Sequence, residues 1–192
     1  MSLRIIGGTF KNRPLKSPSG TLTKPTTSLM RKAVFDICQG LIEEANFLDL
    51  FACSGAMGIE AISRGATFAT FIEKDRKTAN TLQENLKAFD ILTQTEVICA
   101  DVFTAVQRLA SKNISYNLIY IDPPYPLAKD PKSPIPALIE FLDKSSLLAP
   151  SCTIFLEEGA PGCFSFEKHS FSRLKHKSTR RFGESILHQL IL

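Results

Sequence analysis

From Asn46 onward the chain alternates short apolar runs with segments whose apolar residues recur at helical spacing. The runs FLDLF, TFATFIE, TEVICA, YNLIYI and CTIFLEE are short and almost continuously apolar, which predicts strands buried on both faces. Between them stand GIEAISRG, DRKTANTLQENLKAF, a helical segment near Val102 to Ala110 and another from about Pro136 to Leu147. Strands alternating with helices in this way give a parallel, doubly wound α/β sheet. The tail FEKHSFSRLKHKSTRRFGESILHQLIL breaks the rhythm: it predicts two longer strands joined near Phe182-Gly183 with no helix between them. An antiparallel hairpin added to the parallel strands brings the sheet to seven.

Ahead of this pattern, RIIGGTFKNRPLKSP predicts two short strands around a turn at Lys11-Asn12-Arg13. The segment Lys24-Pro25-Thr26-Thr27-Ser28 then leads into a helix, with hydroxyl residues at its N-cap and Met30, Ala33, Val34, Ile37 and Leu41 at helical spacing. Residues 1–44 therefore read as a small hairpin-and-helix appendage for RNA binding, and residues 45–192 as the main domain. At 192 residues the chain can bury about 70% of its unfolded surface. Neither an internal repeat nor a long linker interrupts it.

The five cysteines, Cys38, Cys53, Cys99, Cys152 and Cys163, are odd in number, form no Cys-x-x-Cys pair and mostly lie in apolar segments. They read as small hydrophobes of a reducing, cytoplasmic setting. Nowhere do 18 apolar residues run uninterrupted, so no membrane role is expected. The net charge of +4 conceals a segregation. Residues 1–32 hold seven basic side chains and no acid, residues 168–192 hold six against Glu184 alone, and the middle carries ten basic against eighteen acidic groups. Basic ends of +12 on a body of −8 suit a polyanion partner, although a solvated surface would look the same. Arg4, Lys11, Arg13, Lys16, Lys24, Arg31, Arg180 and Arg181 are the candidate phosphate contacts.

The strand ends carry the chemistry. In a parallel sheet ligands collect beyond the carboxyl ends of strands, and YNLIYI runs into Asp122-Pro123-Pro124-Tyr125. A carboxylate followed by two prolines offers acceptors without backbone donors, which suits an amine. Tyr125 adds a ring on which a nucleobase can stack, worth roughly 1 to 3 kcal/mol. Asp-Pro-Pro could also simply end a strand. The first strand runs into a helix through Asp49-Leu50-Phe51-Ala52-Cys53-Ser54-Gly55-Ala56-Met57-Gly58. As a dinucleotide fingerprint this lacks its first glycine, because Cys53 stands there, so NAD and FAD are disfavoured. S-adenosylmethionine, which has no phosphates, asks less of the turn. Glu73 closes the second strand eighteen residues after Gly55, near the ~20 expected of a ribose-binding acid. Asp101 closes the third and could take the adenine amino group. Each acid could instead cap the next helix, and Asp75 is the better candidate for that task. Asp49, Gly55, Glu73, Asp101 and Asp122, one at each successive strand end, form a set that is hard to obtain by chance. No metal is expected, since His169, His176 and His188 lack ligand spacing.

RIIGGTFKNRPL, KPTTSLMRKAVFDIC, LDLFACSGAMGIEAISRGA with FIEKD, YNLIYIDPPY and RRFGES together resemble the RsmD-type methyltransferases, which methylate guanine N2 of small-subunit (16S) ribosomal RNA. The resemblance spans nearly the whole chain. It implies a Rossmann-like class I fold, S-adenosylmethionine as donor, no metal, and a monomer acting on 16S rRNA in the assembled or assembling small subunit. It also implies a donor site at Phe51, Gly55, Glu73, Lys74, Asp101 and Val102, which Asp49 and Ser54 of the first strand end and turn complete, and an amine site at Asp122, Pro123, Pro124 and Tyr125. The chain departs from the family pattern at Lys24, usually Arg, at Ser28, often Asp, and at Cys53, usually Gly. Two other readings compete: a DNA methyltransferase acting on adenine N6 or cytosine N4, and a non-catalytic nucleic-acid-binding protein on a Rossmann scaffold.

Overall fold

The computed structural model describes residues 3–18, 26–124, 133–159, 164, 166 and 169–192. Tyr125 and Lys24 lie outside them. The elements in chain order are α1 (Ser28–Ile37), β1 (Asn46–Asp49), α2 (Ala56–Ser63), β2 (Phe68–Ile72), α3 (Arg76–Phe89), a 3-10 turn (Leu92–Gln94) and β3 (Thr95–Ile98). They continue with α4 (Val102–Ala110), β4 (Tyr116–Ile121), α5 (Ile135–Lys144), β5 (Leu148–Gly159), β6 (Lys175–Phe182) and β7 (Ser185–Ile191).

The seven strands form one sheet in the order β3-β2-β1-β4-β5-β7-β6. Strands β1 to β5 are parallel, and β7 runs antiparallel to both β5 and β6. This is the Rossmann-like sheet with a C-terminal hairpin that the apolar pattern predicts. Chain order reverses between β1 and β4, where the register sets Asp49 beside Tyr120. Such a switch point opens the crevice in which ligands bind. Among the described residues no helix is long and apolar enough to cross a membrane.

Two apolar layers cover the sheet. One gathers Phe47, Phe71, Leu118 and Phe155 with α1, α2 and α3; the other gathers Leu48, Ile119, Ile154 and Leu156 with α4 and α5. Burying a Leu or Phe side chain contributes roughly 1.5 to 3 kcal/mol, so these layers dominate stability. Helix α5 stops at Lys144, short of the expected Leu147, because Leu147 gives its carbonyl to the Tyr116 N–H at 2.8 Å and is drawn toward the sheet.

The N-terminal segment is docked into the first layer. Ile5 and Leu15 are buried in the same apolar cluster as Met30, Val34 and Phe35 of α1. Its two arms pair only briefly, through the Ile5 N–H to the Arg13 carbonyl, the Asn12 N–H to the Ile5 carbonyl and the Leu15 N–H to the Leu3 carbonyl, with an isolated bridge between Arg4 and Pro14. The predicted strands do not extend because the turn gives its N–H groups to α2. Thr9 donates to the Ser63 carbonyl at 2.8 Å and Phe10 to Ser63 Oγ at 2.9 Å. The buried stripe of α1 is Met30, Arg31, Val34 and Phe35, continued by Cys38. It is rotated from the expected one, and Leu41 is 44% exposed.

Candidate active site

The crevice at the switch point is walled by the turn after β1. Cys53 and Gly55 both adopt left-handed backbone, with φ of 48° and 80°. A Cβ on Gly55 would stand 2.2 Å from Leu82 Cδ1, and one on Gly58 would stand 2.3 Å from Phe71 Cε1. Gly58 is therefore required by close packing of α2 against β2, whereas at Gly55 the left-handed φ is what chiefly favours glycine. Ser54 is buried and gives its carbonyl to Asn85 Nδ2 at 2.9 Å, while Phe51 is half-buried. Cys53 tolerates its conformation because its N–H is donated to Glu73 Oε2 at 2.9 Å.

Glu73 thus faces the turn, as its place at the end of the second strand predicts. Its other oxygen accepts the Asp75 N–H at 2.8 Å, so the carboxylate ties two loops together and keeps acceptor sites free on each oxygen. Asp75 caps α3 through the Thr78 N–H, as expected. Asp101 caps as well: Oδ1 accepts from the Phe103 N–H at 3.1 Å and Oδ2 meets Lys74 Nζ at 3.2 Å. That exposed ion pair contributes at most about 1 kcal/mol. Val102 is buried beside it.

Asp49 ends β1 and is 1% exposed. The backbone N–H groups of Phe51 and Gly58 face its carboxylate, yet its Oδ1 has no hydrogen-bond partner among the described residues. Burial pushes its pKa up to about 7; the Phe51 N–H opposes this and the Glu73 charge adds to it. A buried, unpartnered carboxylate oxygen beside a left-handed turn is an open position for a cationic donor.

One strand away, Asp122 follows β4 and is partly exposed, Pro123 is buried and Pro124 is exposed. The β4–β5 register ends at Ile121 beside Leu156, so Asp122 and Glu157 are the next neighbours. Glu157 is 7% exposed and accepts a short hydrogen bond from the Tyr120 hydroxyl. The Thr26 hydroxyl donates to Asp122 Oδ2 at 3.0 Å. Burial holds the Asp122 carboxyl well above the usual carboxylate range; the Glu157 charge adds to this, the Thr26 hydrogen bond opposes it, and Asp49 adds a little more. Asp49, Asp122 and Glu157 thus line up on three adjacent strands, an arrangement that raises the proton affinity of Asp49 and Asp122. Sequence reasoning missed Glu157, although the pattern of one acid per strand end, carried to CTIFLEE, would have found it.

The candidate phosphate contacts do not form one set. Arg31 is 1% exposed and cannot reach a phosphate; its two terminal nitrogens donate to the carbonyls of Thr26 at 3.0 Å and Arg4 at 2.8 Å, while its buried Nε has no partner among the described residues. Arg4, Lys11, Arg13 and Lys16 are exposed. Arg13 lies over the Phe10 and Phe89 rings at 5.2 and 4.2 Å and donates to the Ala88 carbonyl. Lys16 pairs with Glu84 at 2.9 Å. The Lys11-to-Arg13 turn sits where α2 and α3 end, remote from the Gly55 turn where α2 begins. Arg180 and Arg181 are exposed on the edge strand β6, near the hairpin that pairs Ser185 with Gly159. They stand at the same end of the sheet as Asp122.

A doubly wound sheet of this order, with a left-handed turn after β1 and Asp-Pro-Pro after β4, defines a Rossmann-like methyltransferase of class I. Residues 3–189 match the family model described as Conserved hypothetical protein 95, and the chain belongs to that family, the RsmD-type methyltransferases. It is 34% identical over 155 residues to Ribosomal RNA small subunit methyltransferase D of Escherichia coli, covering 81% of this chain and 74% of that one. A solved candidate methyltransferase, yhhF of Escherichia coli, superposes with a TM-score of 0.82 at 26% identity, covering 100% of this chain and 98% of that one. An RNA methyltransferase from Salinibacter ruber, solved with S-adenosyl-L-homocysteine, shares the fold: TM-score 0.64, 14% identity, 88% of this chain and 93% of that one.

Proposed function

We propose that the protein transfers a methyl group from S-adenosylmethionine to the exocyclic N2 of a guanine in small-subunit ribosomal RNA. The observation that carries this reading is the pairing, on adjacent strands, of an Asp122-Pro123-Pro124 edge whose prolines carry no backbone donor with a turn backed by the open Asp49 oxygen. The name borne by the Escherichia coli relative supports small-subunit ribosomal RNA as the substrate.

The donor supplies an electrophilic methyl on a sulfonium. The residues fit it: Asp49 Oδ1 would take its ammonium, Glu73 its ribose hydroxyls, and the turn from Cys53 to Gly55 its carboxylate end, with Phe51, Ser54, Lys74, Asp101 and Val102 as the remaining lining. Asp122 and the Pro123 carbonyl would accept the two N–H bonds of the amine and aim its lone pair at the methyl. Tyr125 would hold the base by stacking. Guanine N2 is a weak nucleophile, so positioning and charge stabilisation carry the catalysis. The nitrogen becomes cationic as the bond forms, and a carboxylate then stabilises the transition state more than the ground state. We assign the protein to the cytoplasm, as a monomer acting on the assembled or assembling small subunit.

The test incubates the protein with labelled donor and, in parallel, undermethylated small subunits, naked rRNA and DNA, followed by mass analysis of the digested nucleosides. N2-methylguanosine from the small-subunit or rRNA arms is expected. Label in DNA, or on adenine or cytosine, would replace this reading with that of a DNA amine methyltransferase. Donor binding without any transfer would leave a non-catalytic binding protein.

A further inference from the structure

Residue 26 belongs to the N-terminal segment, yet its side chain ends at the catalytic edge of β4. The Thr26 hydroxyl donates to Asp122 Oδ2 at 3.0 Å and stands beside the Tyr120 hydroxyl, which donates to Glu157. The backbone of Thr26 is fixed from the other side. Buried Arg31 Nη1 donates to its carbonyl at 3.0 Å, and Arg31 Nη2 reaches the Arg4 carbonyl at 2.8 Å. The next residue, Thr27, is the N-cap of α1 and accepts the Met30 N–H at 3.1 Å.

A carboxylate at the end of a strand can rotate about its side-chain torsions, and beside Glu157 and Asp49 it also tends to take up a proton. One hydroxyl donor on one oxygen opposes both tendencies. It fixes the carboxylate plane and favours the ionised form, leaving Oδ1 as the acceptor for an incoming amine.

We propose that Thr26 is a positioning residue for methyl transfer: clamped by Arg31 and the start of α1, its hydroxyl orients the Asp122 carboxylate for the target amine. The proposal rests on the methyl-transfer reading above. It makes the N-terminal segment a part of the catalytic apparatus. The groups facing Asp122 are Glu157 from β5, Asp49 from β1, Tyr120 from β4 and Thr26 itself.

The experiment compares Thr26→Val, which keeps the shape and loses the donor, with Thr26→Ser, which keeps the donor. Steady-state methylation of small subunits across pH gives kcat and KM, and calorimetry gives donor affinity. Thr26→Val should lower kcat at least tenfold, with KM for the subunit within about threefold and donor affinity unchanged, while Thr26→Ser restores most of kcat. Loss of a donor to the ionised form raises the Asp122 pKa, so the acid limb of the Thr26→Val profile should move to higher pH. A Thr26→Val enzyme with wild-type kcat and an unmoved acid limb would overturn the proposal. So would a Thr26→Ser enzyme as slow as Thr26→Val, or a defect confined to KM. If the wild-type protein methylates none of the nucleic acids, the methyl-transfer reading itself fails; if it does and Thr26→Val matches it, only the role of Thr26 fails.

Discussion

Replacing Asp49 with Asn tests the donor site through two linked pH dependences. In the wild-type protein the carboxyl has an ordinary value of 3.8 when unfolded and about 7 when buried at the end of β1. Between those values the folded state holds a proton that the unfolded state has released, so stability falls as pH rises through the window. From pH 5 to pH 8 the loss attributable to this one group is about 2 to 3 kcal/mol. Asn is neutral throughout and keeps an acceptor for the Phe51 and Gly58 N–H groups, so the variant should lose less stability over the same interval. Donor binding should run in the opposite direction. Once ionised, Asp49 Oδ1 can pair with the donor ammonium, a charge-assisted hydrogen bond worth about 1.5 to 3 kcal/mol. Wild-type affinity should therefore rise through pH 7, whereas the affinity of Asp49→Asn stays flat. The two proteins should differ by about tenfold or more at pH 8 and converge near pH 5.5. Calorimetric titration with S-adenosylmethionine and urea unfolding, both across pH, measure the two halves. Parallel pH dependences of donor affinity in wild type and variant would sink the assignment of Asp49 to the ammonium.

Asp122→Asn should abolish methyl transfer, by about 100-fold or more in kcat, while donor affinity by calorimetry remains near wild type, because the proposed contact is to the amine. Wild-type turnover would remove Asp122 from the mechanism. Cys53→Gly relieves a left-handed side chain at φ 48°, and after the greater unfolded-state freedom of Gly should stabilise by up to about 1 kcal/mol in urea unfolding. Donor affinity should stay within about tenfold, or 1.4 kcal/mol; a much larger gain would show that the thiol obstructs the donor. Arg180→Ala with Arg181→Ala should weaken rRNA binding and reduce its salt slope by roughly 0.7 to 0.9 for each phosphate that is no longer neutralised. Lys11→Ala, at the far end of α2, should change both less. Equal losses by titration across salt would show that the RNA wraps both ends of the sheet.

The sheet was legible because its strands are continuous apolar runs and its helices carry apolar stripes, both local properties of the sequence. The strand-end acids followed from that pattern, and Asp49, Glu73 and Asp122 all reach the crevice. What stayed hidden depends on juxtaposition. Thr26 and Asp122 are far apart in sequence and meet only when α1 packs on the sheet. Glu157 becomes a neighbour of Asp122 only through the β4–β5 register. Arg31 is a different case, because a local signal existed. It stands three, four and seven residues before Val34, Phe35 and Cys38, on the apolar stripe, and that spacing outweighs its charge. Once buried, an arginine turns its donors to protein acceptors, and the two terminal nitrogens of Arg31 meet two carbonyls.

That burial changes how the N-terminal segment can be studied. The segment supplies Ile5 and Leu15 to the main core, an N–H from Ile6 to the fully buried Glu60 carboxylate, and backbone partners for Ser63 and Asn85. Removing it would expose apolar surface on α2 and α3 and leave the Glu60 carboxylate dependent on Arg64. A buried carboxylate deprived of a donor costs on the order of 1 to 3 kcal/mol, and the absent burial of Ile5 and Leu15 adds a comparable amount for each side chain. A truncated protein would therefore fail through its fold before its affinity for RNA could be measured. The RNA contacts proposed for this segment are separable from folding only at its exposed side chains, Lys11 among them, and separable from catalysis only where the chain has not yet reached Thr26.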